Sequence, residues 1–306
     1  MASRVSQSRR VSTLIVGFGQ MGHAMRALLG NRAHLDIWRI TPENQQPSPA
    51  ICKAAGKARF VILCVPTLAI DASLVHLHRH ISKQAVLLSV AKGLDDTGHT
   101  AADILERRCG RHGPWGVLGG PMIANELRAG RSGFAELGSR NALAKKRVGR
   151  LFCGTQLHLI SNSKPQAVSW CGVLKNVYVP LFGLADGLAW GDNLRGQLAS
   201  AATAEIDRLV QHFSGACRAA EGSAGLADLV TTATSRSSHH RALGLRVARG
   251  DRRTPQGEGP HTVRTLLHTS RLPAARAFPL LNVAVSLVLH PAEADAKLAA
   301  WIEAGI

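Results

Sequence analysis

The sequence is poor in aromatic residues and in paired cysteines. Aromatic residues make up 4% of the 306 positions, with a single tyrosine, so few side chains are available on which nucleic-acid bases could stack. The six cysteines are scattered, without a C-x-x-C pair or the histidine spacing typical of zinc. We therefore expect buried, reduced thiols, no metal site, and a reducing compartment, the cytoplasm.

Long apolar runs are also lacking. We find no uninterrupted run of the roughly 18 residues that cross a bilayer, and we expect no membrane span. The first ten residues carry Arg4, Arg9 and Arg10 without an acid, as some transit peptides do. Because an apolar strand is predicted to begin at Val11, we interpret these residues as a short tail.

Acidic residues are too few to balance the basic ones. The chain has 37 Lys and Arg against 20 Asp and Glu, a formal net charge of +17. Such an excess attracts anions of many kinds, but the basic residues are spread along the chain rather than gathered in one segment. Phosphorylated small molecules fit the charge as well as nucleic acid does, so we expect no specific nucleic-acid partner.

The first half of the chain alternates short apolar runs with helical stretches. This alternation predicts a parallel sheet that is covered by helices on both faces. The predicted strands are Val11–Val16, His34–Trp38, Arg59–Val65, Ala85–Val90, Gly116–Leu118, Gly133–Leu137 and Leu157–Ile160.

From Lys164 onward the periodicity is helical, and Pro165 suits the first turn of a helix. We predict an α/β fold, with a Rossmann-type doubly wound sheet in residues 1–163 and an all-helical domain in residues 164–306. The segment Arg249–Pro260 is predicted to be a mobile loop. The predicted helices are Ala167–Leu184, Asn193–Phe213, Ala242–Arg249, Thr262–Leu267 and Ala292–Ile306.

A glycine-rich turn, Gly17-Phe18-Gly19-Gln20-Met21-Gly22, follows the first predicted strand and precedes a helix. In this context, glycines permit a tight turn, backbone approach to a pyrophosphate, and close packing of helix on strand. We predict a dinucleotide cofactor, NADP(H) or NAD(H). Arg39 follows the second strand and Asp36 lies inside it, which favours NADP(H) because arginine can bind a 2′-phosphate.

Hydride transfer to a carbonyl requires a group that protonates the developing alkoxide. Lys175 lies in the middle of an apolar helix, where burial could lower its pKa enough for this role. A side chain that extends to the surface is the alternative interpretation. Polar groups also interrupt the apolar segments Ser89–Gly93 and Gly225–Thr232.

Several motifs together resemble those of the bacterial-type NAD(P)-dependent glycerol-3-phosphate dehydrogenases, in order and spacing over nearly the whole chain. The most specific is Leu174-Lys175-Asn176-Val177, followed by the Asp-Gly-Leu and Gly-Asp-Asn elements of residues 186–193. The others are the glycine turn, Val65-Pro66-Thr67, Ala91-Lys92-Gly93, Gly119-Gly120-Pro121-Met122-Ile123-Ala124-Asn125-Glu126, Gly225-Leu226-Ala227-Asp228-Leu229, Glu258-Gly259 and Phe278-Pro279-Leu280.

The resemblance implies a 6-phosphogluconate-dehydrogenase-like two-domain fold and the reversible reduction of dihydroxyacetone phosphate to sn-glycerol 3-phosphate. It implies further a role in supplying glycerophospholipid precursors, and a homodimer. It assigns proton transfer to Lys175, with Lys92 and Asp228 as further catalytic residues. It places Lys92, Gly120, Met122, Asn176, Asp228, Thr232, Ser238, His239, His240 and Arg241 around the substrate. It places Gly17, Gly19, Gln20, Met21, Gly22, Arg39, Pro66, Lys92, Ala124, His239 and Glu258 around the cofactor.

The chain departs from the family pattern at three positions. His239 stands where the family has an arginine expected to hold the substrate phosphate, Met122 replaces a small polar residue, and Ala227 replaces a glycine. A protonated His239 or a reoriented Arg241 could bind phosphate instead. The alternatives are a related dehydrogenase with a different hydroxy-acid or phosphorylated substrate, and a catalytically impaired dinucleotide-binding paralogue.

Overall fold

The computed structural model describes residues 10–41 and 43–304, so the tail predicted before Val11 lies outside the described residues except for Arg10. Seven strands form one sheet in the order β2-β1-β3-β4-β5-β6-β7. The strands are β1 Val11–Val16, β2 Ala33–Trp38, β3 Phe60–Leu63, β4 Val86–Ser89, β5 Trp115–Gly119, β6 Gly133–Gly138 and β7 Leu157–Asn162.

The sheet is doubly wound from β1, with β2 on one side and β3 on the other, and both pairs are parallel. This reversal of strand order is where ligands bind in open α/β sheets. The expectation of an all-parallel sheet is wrong for β6, which runs antiparallel to β5 and parallel to β7. Between β5 and β6 the chain forms a helix of only 5 residues, Ala124–Arg128. Two neighbouring parallel strands need a longer crossover connection, so this short segment suits an antiparallel pair.

Thirteen α-helices accompany the sheet in the described part of the chain. Those among the strands are α1 Gln20–Leu29, α2 Pro49–Lys57, α3 Thr67–Leu77, α4 Ala101–Cys109, α5 Ala124–Arg128 and α6 Ala142–Phe152. Those after β7 are α7 Pro165–Gly187, α8 Gly191–Ser214, α9 Asp228–Thr234, α10 His239–Ala248, α11 Glu258–His268, α12 Pro279–Leu289 and α13 Ala294–Glu303. A π-helical turn, Ser223–Ala227, precedes α9.

The predicted fold class, a Rossmann-type sheet followed by helices, is confirmed. Two helices were missed, α9 and α12. In α12 most positions are buried, so no polar face marks a helical period. The predicted loop is shorter than expected because α11 already begins at Glu258. The boundary between residues 163 and 164 stays a prediction, with β7 ending at Asn162 and α7 beginning at Pro165.

Helix α7 is the centre of the helical half. Within the described residues it is the one helix long and apolar enough to cross a bilayer. The apolar stretch that meets this criterion is entirely buried inside the protein. The predicted helix Ala167–Leu184 lies within α7, which begins two residues earlier and ends three residues later. Helix α7 contacts strands β5 and β6 and shares one apolar core with residues of β1, β3 and β4, so it packs directly against the sheet half.

Helix α10 crosses α7 at very short range. A Cβ on Gly244 would collide with the carbonyl of Pro180, and a Cβ on Gly183 would collide with the carbonyl of Arg241. Glycine at both positions therefore lets the two main chains touch. This contact fixes where the first turn of α10 lies relative to Lys175.

Candidate active site

The glycine turn lies at the carboxyl end of β1. Gly17 has a φ of +88°, and a Cβ there would lie 2.7 Å from the carbonyl oxygen of Cys64. A Cβ on Gly22 would collide with the carbonyl of Gly17. At Gly19, by contrast, a Cβ would meet nothing within 4 Å. The turn is thus closed at its two ends and open at its middle glycine.

The open side of the turn is also the N-terminus of α1. Gly19 is the N-cap, and no side chain caps the first turn. The N–H groups of that turn are available to an anion, and the helix dipole favours negative charge there. This arrangement fits the pyrophosphate of a dinucleotide.

Two basic side chains, Arg39 after β2 and Arg26 on α1, lie beside Phe18 of the glycine turn. The guanidinium carbon of Arg39 lies 4.7 Å from the centroid of the Phe18 ring, and that of Arg26 lies 5.5 Å from it. The carboxylate of Asp36 lies 3.9 Å from the ring of His34 on the same strand. A 2′-phosphate on the adenosine ribose would therefore meet positive charge at Arg39.

Two lysines converge on one carboxylate. Lys92, in the segment after β4, donates to Asp228 Oδ2 and to the carbonyl of Gly120, each at 2.7 Å. Lys175 on α7 donates to the hydroxyl of Thr232 at 2.6 Å and lies 3.5 Å from Asp228 Oδ1. The side chain of Asp228 is 3% exposed, and both ammonium groups compensate its buried charge.

Helix α9 presents Asp228 and Thr232 together because residues four apart share one helix face. The Thr232 hydroxyl donates to the carbonyl of Asp228 at 2.7 Å. Its lone pairs therefore face Lys175, and the ammonium group has a fixed acceptor.

Asn176 links α7 to two other segments. Its amide nitrogen donates to the carbonyl of Lys92 at 3.0 Å and to Glu258 Oε2 at 3.1 Å. Gly259 permits this approach, because a Cβ there would collide with the carbonyl of Asn176. A Cβ on Gly172 would lie 3.3 Å from Cγ of Lys92. Sequence analysis missed Gly172, since a glycine inside an apolar helix looks like ordinary packing.

Burial sets the proton affinities of the site. It lowers the pKa of Lys175 to about 8, with Asp228 raising that pKa and Lys92 lowering it again. Burial raises the pKa of Glu258, against the effect of the two lysines. Burial and the nearby Lys175 lower the pKa of His240 to about 3, so its ring is neutral at neutral pH. An amine that titrates near 8 can both give and accept a proton under ordinary conditions.

A cavity of about 180 Å³ opens beside the two lysines. We call Lys92, Lys175, Asp228 and Thr232 its inner end, and Ser235, Ser237, Ser238 and His239 its outer end; Met122, Ile123 and His240 complete the lining. The structure thus brings most of the predicted substrate residues together. Ile123, Ser235 and Ser237 were missed, because isolated serines and an isoleucine carry no signal of their own.

The first turn of α10 forms much of the outer end. The Ser238 hydroxyl accepts from the N–H of Arg241 at 3.2 Å and caps the helix, and the side chain of His239 is exposed. The Arg241 guanidinium is paired with Asp186, with Nη2 2.6 Å from Oδ2, and Asp186 also holds Arg195. Arg241 does not line the cavity, contrary to the expectation that it could reach the substrate.

The other predicted residues have local roles in the site. Met122 is 5% exposed and narrows the cavity. Gly120, with a φ of +143°, contributes the carbonyl that holds Lys92. Gln20 accepts a hydrogen bond from Arg128 at 3.0 Å, and Met21 packs partly into the core beneath the turn.

Pro66 and Ala124 begin two helices at the same edge of the sheet. Pro66 is the N-cap of α3 after β3, and Ala124 is the first residue of α5, which packs against α1. Both therefore lie at the carboxyl edge of the sheet, on the side of the glycine turn.

The described residues fit a nicotinamide dinucleotide. The glycine turn offers open N–H groups to its pyrophosphate, and Asn176 Oδ1 is buried without a hydrogen-bond partner. A buried acceptor of this kind is costly unless a donor reaches it, and an amide or hydroxyl donor of a ligand would do so. Across residues 10–41 and 43–304, no three His, Cys, Asp or Glu side chains are grouped as metal ligands.

The glycine turn follows β1 and Lys92 follows β4, so the turn and the lysine cluster both belong to the carboxyl edge of the sheet. This combination is typical of two-domain nicotinamide-dependent dehydrogenases. Comparison with known families narrows the class. The N-terminal model of the NAD-dependent glycerol-3-phosphate dehydrogenases matches residues 20–142, and their C-terminal model matches residues 165–296. The chain belongs to the NAD-dependent glycerol-3-phosphate dehydrogenase family.

Individual relatives agree with this assignment. The chain is 29% identical over 210 residues to "Glycerol-3-phosphate dehydrogenase [NAD(P)+]" of Halothermothrix orenii, covering 68% of this chain and 61% of that protein. It is 30% identical over 213 residues to that of Haemophilus influenzae, covering 69% and 64%. The aligned part thus spans less than two thirds of these two relatives. For the enzyme of Sodalis glossinidius the identity is 29% over 269 residues, and 78% of each chain is covered.

Solved structures show the same fold. Glycerol-3-phosphate dehydrogenase from Coxiella burnetii superposes with a TM-score of 0.82 at 22% identity, covering 95% of this chain and 99% of that one. The enzyme from Plasmodium falciparum also gives 0.82, at 17% identity, covering 97% and 96%. The predicted family is confirmed.

Proposed function

We propose that this protein catalyses the reversible reduction of dihydroxyacetone phosphate to sn-glycerol 3-phosphate with NAD(P)H. Membership of the family supports the substrate and the reaction. The observation that carries the proposal is the amine of Lys175, which is buried, titrates near 8 and faces a cavity shared with Lys92 and Asp228.

The dinucleotide, when bound, supplies a hydride to the carbonyl carbon of the substrate. Negative charge then develops on the carbonyl oxygen, and the protonated amine of Lys175 donates its proton to that oxygen. Lys92, held by Asp228 and by the carbonyl of Gly120, adds a second positive charge beside it. In the reverse direction the neutral amine of Lys175 accepts the proton of the alcohol.

The remaining groups hold these amines in place. Thr232 fixes the direction of Lys175, and Asn176 ties the segment of Lys92 to α7. We assign the phosphate of the substrate to the outer end, where three serine hydroxyls and His239 are the available donors.

The direct test is an assay of NADPH and NADH oxidation with dihydroxyacetone phosphate, comparing the wild type with Lys175→Ala. We expect kcat to fall about 10²- to 10⁴-fold, the usual contribution of a positioned acid. Added ethylamine should partly restore activity, because a free amine can occupy the vacated space. Lys297→Ala, a half-exposed lysine on α13, is the matched control and should keep full activity. Equal activity of both variants would refute the proposal.

A different substrate is the second candidate, and His239 favours it. The cavity has no arginine among its described lining residues, so its affinity for a phosphate dianion is weaker than a guanidinium would give. Turnover of unphosphorylated dihydroxyacetone or of a hydroxy acid at rates above those with dihydroxyacetone phosphate would establish this candidate. Dinucleotide binding without turnover of any of these would indicate an impaired paralogue instead.

The proposal extends to the setting of the enzyme. The six cysteines are free, which suits a reducing compartment, and we place the protein in the cytoplasm as a supplier of glycerophospholipid precursors. We expect a homodimer, to be checked by light scattering, and a preference for NADP(H) based on Arg39.

A further inference from the structure

A second cavity lies at the opposite edge of the sheet from the lysine pair. It has a volume of about 580 Å³ and is lined by the end of α3, the start of β4, the end of α4 and Pro114 before β5. We call it the basal cavity. Lys92 follows the carboxyl end of β4, whereas Ala85 and Leu87 at the other end of that strand line the basal cavity.

The floor of the basal cavity is apolar. Leu74, Ile81, Leu87 and Cys109 contribute to it, and burial raises the pKa of the Cys109 thiol, which keeps that side chain uncharged. A volume of this size lies in the usual range of small-molecule sites, which are mostly apolar with a few polar groups.

The rim is cationic. His78, Arg79 and Lys83 are exposed around the opening. The salt bridges described at this edge are those of Asp71 with Arg107 and Arg108, and none of those described involves Arg79 or Lys83. An alternative explanation of these cations is that they complement the dipole of α3, at whose carboxyl end they lie. That explanation does not account for the open apolar floor of the cavity beside them.

We propose that the basal cavity binds an anionic amphiphile, with an alkyl chain on the apolar floor and an acidic head group at Arg79 and Lys83. Charge and surface are complementary: a carboxylate or phosphate head would meet two unpaired cations, and the chain would cover Leu74, Ile81 and Leu87. Nucleic acid is a poorer match, because the lining residues include no Phe, Tyr or Trp ring on which a base could stack.

Calorimetric titration with straight-chain carboxylates tests the proposal without substrate or cofactor, so its outcome is separate from that of the catalytic assay. Octanoate and decanoate are used below their micelle concentrations, with acetate and octanol as probes of the head group and the chain alone. We expect one saturable site, with decanoate bound about 15-fold more tightly than octanoate, or about fourfold for each methylene. Acetate should show no saturable binding, and octanol should bind about tenfold more weakly than octanoate.

Three variants locate the site. Lys83→Glu should weaken decanoate binding at least tenfold, and Ser82→Phe should abolish it by filling the cavity from its half-buried wall. Lys146→Glu, an exposed lysine on α6 outside the lining, makes the same change of net charge and should leave the affinity unchanged. Equal weakening by Lys83→Glu and Lys146→Glu, binding of several equivalents, or affinity independent of chain length would overturn the proposal. Circular dichroism and the Tm of each variant confirm that it is folded.

Discussion

The two ends of the active-site cavity are built differently. At the inner end, Lys92, Lys175, Asp228 and Thr232 are bonded to one another, and Lys175 and Asp228 are buried. At the outer end, serine hydroxyls and an exposed imidazole face an open space. Under the proposed function the difference separates two tasks: the groups that would move a proton are held in one arrangement, whereas the groups that would recognise the rest of the substrate can change without disturbing them.

The largest effect is expected when the inner end loses its carboxylate. In Asp228→Asn the two ammonium groups repel each other without compensation, and the pKa of Lys175 falls below 8 because Asp228 raises it in the wild type. We expect kcat for reduction to fall about 10²- to 10³-fold, and the pH midpoint of the reaction to move to lower pH. The measurement is kcat across pH 5 to 9.

Asp192→Asn provides the control, because Asp192 carries a carboxylate that is 88% exposed and paired with Arg195. Its kinetics should match those of the wild type. An unchanged pH midpoint in Asp228→Asn would show that the carboxylate does not tune the amine.

The outer end should respond to an added guanidinium. His239→Arg would restore a permanent charge at the phosphate position, and a charged hydrogen bond contributes about 1.5–3 kcal/mol. We expect KM for dihydroxyacetone phosphate to fall roughly ten- to a hundredfold with little change in kcat. An unchanged KM in His239→Arg would remove residue 239 from the phosphate site.

The pH dependence of turnover should follow the inner end alone. The pKa of Lys175 is lowered to about 8, so the proton donor is present below that pH and is lost above it. We expect kcat for reduction to decline about tenfold per unit above pH 8. For oxidation kcat should rise towards pH 8 and then level off. Identical profiles in both directions would contradict the assignment of Lys175 as the proton carrier.

The smallest effect is expected outside the cavity, at the end of β2. Arg39→Ala should lower kcat/KM for NADPH about tenfold and leave that for NADH nearly unchanged, because only the former carries a 2′-phosphate. Arg26→Ala, which removes the more distant guanidinium from Phe18, is the comparison. Equal losses with both cofactors would show that Arg39 merely packs on Phe18.

The sequence was sufficient to predict those features of the fold and the site that depend on neighbouring residues. The apolar runs predicted all seven strands, and the glycine turn and the mid-helix Lys175 were found from their immediate neighbours. The reversed direction of β6 was not predictable in this way, since it depends on how the short segment after β5 packs. The placement of Arg241 depends on its ion pair with Asp186, 55 residues away in the chain. No local sequence pattern predicts that ion pair.

The crossing of α7 and α10 has a consequence for how this protein could acquire new substrates. Because the two helices meet main chain to main chain at Gly183 and Gly244, the location of residue 239 does not depend on which side chain it carries. Histidine and arginine would project from the same point at the same distance from Lys175. If the proposed function holds, one replacement at residue 239 would change substrate selectivity without moving the helices that hold Lys175.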